Sequence, residues 1–149
     1  MQKKVFVDTS TLIILSKINQ LELLRLLYGN VYITIEVKLE FRLPIPNWII
    51  EEYANYDSDF SFGIGKGETS ILNLAIRNNN SYLIIDELKA RKVASNLNLK
   101  FTGAIGILVI AKRHGYIHEI KPILDSIMKT NFRISKELYI QVLKISNEF

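Results

Sequence analysis

The chain has 149 residues, 48% of them hydrophobic and 23% charged, with a net charge of +4 and no cysteine. That length and balance suit one globular core and exclude wholesale disorder and a pair of ordinary-sized domains. The absence of cysteine excludes a disulfide scaffold, a Cys-ligated zinc or iron–sulfur site and a thiol nucleophile. With His114 and His118 as the only imidazoles, any metal used here is expected to be a hard ion held by carboxylates. The mildly basic charge permits a polyanionic partner without requiring one.

Met1-Gln2-Lys3-Lys4 runs straight into Val5-Phe6-Val7, too short for a signal core. The apolar run Ile105–Ala111 stops at Lys112-Arg113, well short of a membrane span. A cytoplasmic protein without membrane contact is therefore expected. In chain order the pattern predicts a strand over Lys3–Val7, helices over Thr9–Lys17 and Gln20–Tyr28, and a strand over Val31–Ile35. A short helix follows over Glu36–Phe41, ended by Leu43-Pro44-Ile45-Pro46, and Trp48–Tyr53 is ambiguous. Asp57–Gly67 is polar and glycine-rich and reads as a long loop, of the kind that is often functional. Beyond it the pattern gives a helix over Gly67–Asn78, a strand over Tyr82–Ile85, a helix over Glu87–Asn96 and a short strand over Leu99–Phe101. Helices over Gly103–His114, Ile120–Met128 and Ser135–Ser146 complete the chain. Strands that are continuous apolar runs, alternating with helices, predict a single α/β domain over 1–149 with a central parallel sheet flanked by helices on both faces. In such sheets the binding crevice lies at the carboxyl ends of the strands.

Two of those ends are acidic. Asp8 closes Val5-Phe6-Val7, and Asp86 closes Leu83-Ile84-Ile85. Parallel strands put both carboxylates at one edge of the sheet, and neighbouring strands would bring them close together. Glu68 shares a helical stripe with Leu72 and Ala75, so it leans inward at the mouth of its helix. Glu40 stands three residues after Val37 on the apolar side of the short helix, with Glu36 as its rival. Each has an ordinary reading: Asp8 and Asp86 as N-caps, Glu68 as a favourable charge at a helix N-terminus, Glu40 as a solvated surface residue. Together they suggest something else, because clustered carboxylates repel and a divalent cation such as Mg²⁺ or Mn²⁺ resolves that cost. A cation so held can activate water against a phosphodiester.

The ordered set Val5-Phe6-Val7-Asp8-Thr9-Ser10, Ile35-Glu36-Val37-Lys38-Leu39-Glu40, Gly65-Lys66-Gly67-Glu68-Thr69-Ser70-Ile71, Leu83-Ile84-Ile85-Asp86-Glu87-Leu88-Lys89-Ala90-Arg91 and Phe101-Thr102-Gly103-Ala104-Ile105-Gly106-Ile107-Leu108 resembles the PIN domain superfamily of metal-dependent ribonucleases. It is most similar to the compact toxin subgroup found in prokaryotic toxin–antitoxin pairs. The resemblance covers essentially the whole chain. It implies that Asp8, Glu40, Glu68 and Asp86 are the catalytic acids, with Asp8, Glu68 and Asp86 holding Mg²⁺ or Mn²⁺. It further implies that Ser10 supports the first acid, that RNA is the substrate, that a small antitoxin protein is a partner, and that the chain forms a homodimer. Two departures stand out. Glu68 replaces the Asp of many PIN domains, and Glu87 and Lys89 stand where a further Asp is common. A catalytically silent PIN-like module that binds RNA or protein is the second reading.

Other features have plainer readings. Gly63-Ile64-Gly65-Lys66-Gly67-Glu68 lacks the Gly-Lys-Ser/Thr ending of a phosphate-binding P-loop and is a flexible approach to a helix. Lys66, Lys89 and Arg91, together with Lys92, offer a basic rim that would bring RNA phosphates to an acidic centre. Each also reads as a solvated charge or surface ion pair. His114 and His118 straddle Gly115 without a third ligand and read as surface residues. The Leu12–Leu27 helices and the two C-terminal helices are candidate docking faces, the former more simply core.

Overall fold

The computed structural model describes residues 3–60 and 63–149. The strands are β1 (Lys4–Val7), β2 (Val31–Thr34), β3 (Ile49–Glu52), β4 (Ser81–Ile84) and β5 (Phe101–Thr102). The helices are α1 (Thr9–Lys17), α2 (Glu22–Tyr28), α3 (Ile35–Phe41), α4 (Lys66–Arg77), α5 (Leu88–Asn96), α6 (Ala104–Arg113), α7 (Lys121–Met128) and α8 (Lys136–Ile145). Every strand pair is parallel, in the order β3-β2-β1-β4-β5. The α/β class and parallel sheet expected from the alternating pattern are thus present.

The ambiguous Trp48–Tyr53 stretch forms the edge strand β3, whose Ile49-Ile50-Glu51-Glu52 sequence sends glutamates outward to Lys4 and Lys38. The short strand before α6 lies at Phe101–Thr102, slightly later than the apolar run suggests. Of the long loop expected over Asp57–Gly67, Ser61 and Phe62 lie outside the described residues. Its entry is pinned to α4: the Ser58 N–H donates to Asn73 Oδ1, and Asn73 Nδ2 returns a bond to the Ser58 carbonyl, both at 2.9 Å.

The core explains the register. Val5, Phe6, Val7, Ile33, Leu83 and Ile84 are almost completely shielded, each side chain stabilising the fold by roughly 1.5–3 kcal/mol relative to exposure. On α4 the stripe Ile71, Leu72, Leu74 and Ala75 is buried, and Glu68, one turn before Leu72, is half-buried at the helix start. Crossovers, of the kind that are right-handed in nearly all parallel sheets, carry the chain from β1 outward to β2 and β3 by way of α1, α2 and α3. They carry it from β3 back to β4, and on to β5, by way of α4 and α5. The direction of winding therefore reverses between β1 and β4. That reversal is the topological switch point at which parallel sheets open a crevice. The pairing Val7↔Ile84 sets Asp8 and the segment ending in Asp86 side by side there.

At the far end of the chain, the segment after α8 ties α6 to the start of α7. Glu148 accepts hydrogen bonds from the Ile120 and Lys121 N–H groups, at 2.7 and 2.9 Å, and pairs with Lys112 at 2.5 Å. Among the described residues no helix is long and apolar enough to cross a membrane.

Candidate metal and nucleic-acid site

Asp8 is completely buried. It leaves β1 in an extended conformation and caps α1, its Oδ1 accepting the Thr11 N–H at 2.8 Å. The capping role and the strand-end role thus belong to the same carboxylate. Its other oxygen, Oδ2, accepts the backbone N–H of Asp86 at 3.0 Å. Burial, with a further push from the Asp86 charge, outweighs the Thr11 hydrogen bonds and raises the Asp8 pKa from 3.8 to about 6.

Asp86 does not cap the helix that follows it. Glu87 does, accepting the Ala90 N–H on Oε2 at 2.7 Å, so the helix expected from Glu87 begins at Leu88. Asp86 turns across the crevice and accepts the Ala104 N–H on both oxygens, at 3.2 and 3.1 Å. It thereby caps α6, whose own N-cap is the side-chain-less Gly103. The Thr11 hydroxyl donates to Asp86 Oδ2 at 2.7 Å. Burial raises the Asp86 pKa against the lowering effects of Thr11, Ala104 and Arg91. Arg91 is held in place by its Nε bond to the Ile85 carbonyl at 2.8 Å and lies 5.4 Å from the Phe101 ring centre. Gly103 makes this crowding feasible, since a Cβ there would fall 2.4 Å from both Arg91 Nη2 and Asp86 Oδ1.

The two glutamates form a second cluster on the neighbouring helices. Glu68 is half-buried in the first turn of α4, and its pKa is raised by burial and by the charges of Glu40 and Glu87. Glu40 is solvent-exposed overall, as its surface reading expects, yet its Oε1 accepts the Thr9 hydroxyl at 2.7 Å. That oxygen rests on the bare backbone of Gly67, where a Cβ would lie 2.2 Å away. Beneath them the buried hydroxyls of Thr34 and Ser70 meet at 2.7 Å and join the start of α3 to α4. Glu36, the alternative to Glu40, has a buried Oε1 without a hydrogen-bond partner among the described residues.

The hydroxyls that touch the acids are those of Thr9 and Thr11; Ser10, the residue singled out in the sequence, lies between them and is half-buried. Lys66 opens α4 and is exposed, and Lys89 is exposed on α5, its side chain alongside Gly63. Of the expected basic rim, Arg91 reaches farthest into the crevice. No salt bridge among the described residues involves Asp8, Glu40, Glu68, Asp86 or Glu87.

The donor chemistry fits a hard divalent cation: every ligand offered is an oxygen, and none of the acids forms a salt bridge among the described residues, Arg91 being the nearby cation that acts on Asp86. The acids stand as two neighbouring sets, Asp8 with Asp86 and Glu68 with Glu40. Among the described residues no three Asp, Glu or His side chains come together as a ready-made cage.

A family model joins these observations. The DUF3368 family, described as a PIN domain, matches residues 4–148, and the chain belongs to it. PIN domains are in general nucleases and typically use divalent metals. No curated protein and no solved structure matches the chain.

Proposed function

We propose that this chain is a Mg²⁺- or Mn²⁺-dependent endoribonuclease, the toxin of a prokaryotic toxin–antitoxin pair, acting in the cytoplasm. The observation that carries the reading is the pair Asp8 and Asp86 at the switch point: a fully buried carboxylate whose Oδ2 accepts the backbone N–H of a second, half-buried acid, with no salt bridge to either among the described residues. A fold that keeps such a pair without a function would meet a desolvation cost that an apolar pair avoids. Asp8, Glu68 and Asp86 are the residues that would hold the ion. When bound, it would supply Lewis acidity toward a phosphodiester and neutralise charge in the transition state. Glu40, with one oxygen fixed by Thr9, orients water through the other. Asp86, kept in place by Thr11 and Ala104, sets the inner wall of the site. Ser10 adds a hydroxyl beside Asp8, Glu87 adds negative charge near Glu68, and Lys66, Lys89 and Arg91 attract phosphates. The small antitoxin partner and the homodimer come from the resemblance to the toxin subgroup.

The separation of the acids into two sets favours one rival, a silent PIN-like binding module. Thermal melting with and without Mn²⁺, on the wild type and on Asp8→Asn/Asp86→Asn, separates the readings. A native-state ligand raises the melting point by mass action. The nuclease reading expects Mn²⁺ to stabilise the wild type alone, and the wild type to cleave single-stranded RNA with Mn²⁺ present. Equal responses in both proteins, with no cleavage, leave the carboxylates as structural caps.

A further inference from the structure

A groove of about 510 Å³ opens at Asp86 and runs along α6 toward α8. The ten residues of α6 rise about 15 Å, so the groove extends well past the acids. Three guanidinium groups line it from separate elements: Arg91 on α5, Arg113 at the end of α6 and Arg133 between α7 and α8. Arg113 and Arg133 are exposed, and neither forms a salt bridge among the described residues. Between the arginines the wall is apolar and includes the Phe132 ring.

From this arrangement we infer that the groove is the track for one unpaired strand of RNA leaving the scissile phosphate. The inference rests on the nuclease reading above and gives its substrate a form. If the reacting phosphate lies at Asp86, its neighbours must cross the adjoining surface, where the acids would repel them. The groove begins at that point and presents cations at intervals, as a repeating phosphate chain requires. Guanidinium forks match phosphate oxygens, and the apolar wall with Phe132 suits sugar and base faces. Base faces are free to meet that wall only in an unpaired strand. An acidic amphipathic protein segment is the competing occupant, but it would have no reason to end at a carboxylate.

The test measures fluorescence anisotropy of a short unstructured RNA, of a hairpin with the same bases and of an acidic amphipathic peptide, all in EDTA to prevent cleavage. Arg113→Glu/Arg133→Glu is expected to weaken single-strand binding at least about tenfold at low salt and to lower the log–log salt slope by about 1.4 or more, at roughly 0.7 per lost phosphate contact. Arg113→Ala/Arg133→Ala, two truncations at exposed positions, is expected to show the same direction with an unchanged melting temperature. Arg113→Lys/Arg133→Lys is expected to keep most of the affinity. Undiminished binding by the glutamate and alanine pairs, a preference for the hairpin, or binding of the peptide alone overturns the proposal. Failure of the wild type to cleave RNA with Mn²⁺ strikes the nuclease reading and leaves the groove result intact. Arginine-independent binding in an active enzyme does the reverse.

Discussion

Asp86 donates its backbone N–H to the Asp8 carboxylate at 3.0 Å, so the two strand-end acids are joined by main chain rather than by a shared side-chain bond. The bond holds the second acid's backbone against the first acid's charge. It follows from the parallel pairing of β1 and β4, in which the Asp8 N–H also donates to the Ile84 carbonyl at 3.0 Å. The sheet ladder thus continues one step into the site and fixes both carboxylates before any ion or substrate arrives.

The first consequence is a pH dependence of stability. The Asp8 pKa is about 6 in the folded chain against an ordinary 3.8. Between those values the folded state holds a proton that the unfolded state has released, so stability falls as pH rises through the window. The penalty is absent below pH 3.8, grows toward pH 6 and is complete above it, at about 3 kcal/mol. Urea unfolding in EDTA should therefore show the wild type losing stability, relative to Asp8→Asn, from pH 4 to pH 7. Parallel curves for the two proteins across that range would sink the buried-charge account of Asp8.

Thr11 carries the second. It is fully buried, its N–H binds Asp8 and its hydroxyl binds Asp86. Thr11→Val keeps the shape and removes the donor to Asp86, at a cost of about 1–2 kcal/mol. Because that bond lowers the Asp86 pKa, the variant should need a higher pH for ionisation, moving the acid limb of the RNA-cleavage profile upward. Thr11→Ser should restore the profile while still losing about 1 kcal/mol for the buried methyl, which distinguishes the hydroxyl from the methyl.

How much of this was legible in the sequence differs from residue to residue. Asp8 and Asp86 were legible because each interrupts a buried apolar run where a strand must end. Glu68 was legible because its helical phase is shared with Leu72 and Ala75. The pairing of β1 with β4 was not, since local pattern carries no information on strand order. The hydroxyl contacts were not either: in the run Thr9-Ser10-Thr11 one residue changes the direction of a side chain by a large fraction of a helical turn, and local spacing does not resolve it. Asp86 capping α6 links positions eighteen residues apart, across a strand and a helix. Trp48–Tyr53 was ambiguous because Ile-Ile-Glu-Glu has neither a clean two-residue period nor a helical one. Arg91, Arg113 and Arg133 come to line one groove only through tertiary packing of separate elements.

Gly67→Ala supplies the third prediction. A Cβ would fall 2.2 Å from Glu40 Oε1, an atom at the end of a flexible side chain on an exposed residue. The glutamate should therefore swing away and lose the Thr9 bond, while the helix gains up to about 0.5–1 kcal/mol from replacing glycine. The expected outcome is a protein of stability close to wild type, the helix gain offsetting the lost Thr9 bond, with impaired RNA cleavage, matching Glu40→Gln. Chemical denaturation and cleavage assays on the same preparations check it. Full activity in the alanine variant would show that Glu40 has no part in the reaction.

Glu148 supplies the fourth, at the other end of the molecule. Its side chain is 12% exposed, accepts the Ile120 and Lys121 N–H groups and pairs with Lys112, so it holds the start of α7 to the end of α6. Partial desolvation opposes its ionisation, but Lys112 and the two N–H groups outweigh that and set its pKa below the ordinary 4.5. Removing a carboxylate with charged and main-chain partners, as in Glu148→Ala, should cost about 1.5–3 kcal/mol at pH 7. A depressed pKa contributes stability above its unfolded value and loses it as pH falls through the folded one. The gap between wild type and Glu148→Ala should therefore be largest above pH 4.5 and shrink on acidification below it, as read by urea unfolding at neutral and acidic pH. Since α6, α8 and the connection from α7 to α8 line the arginine-bearing groove, the same variant should also weaken single-strand binding while leaving the Mn²⁺-dependent rise in melting temperature in place. Loss of the Mn²⁺ response as well would mean that the C-terminal helices and the acidic crevice unfold as one unit.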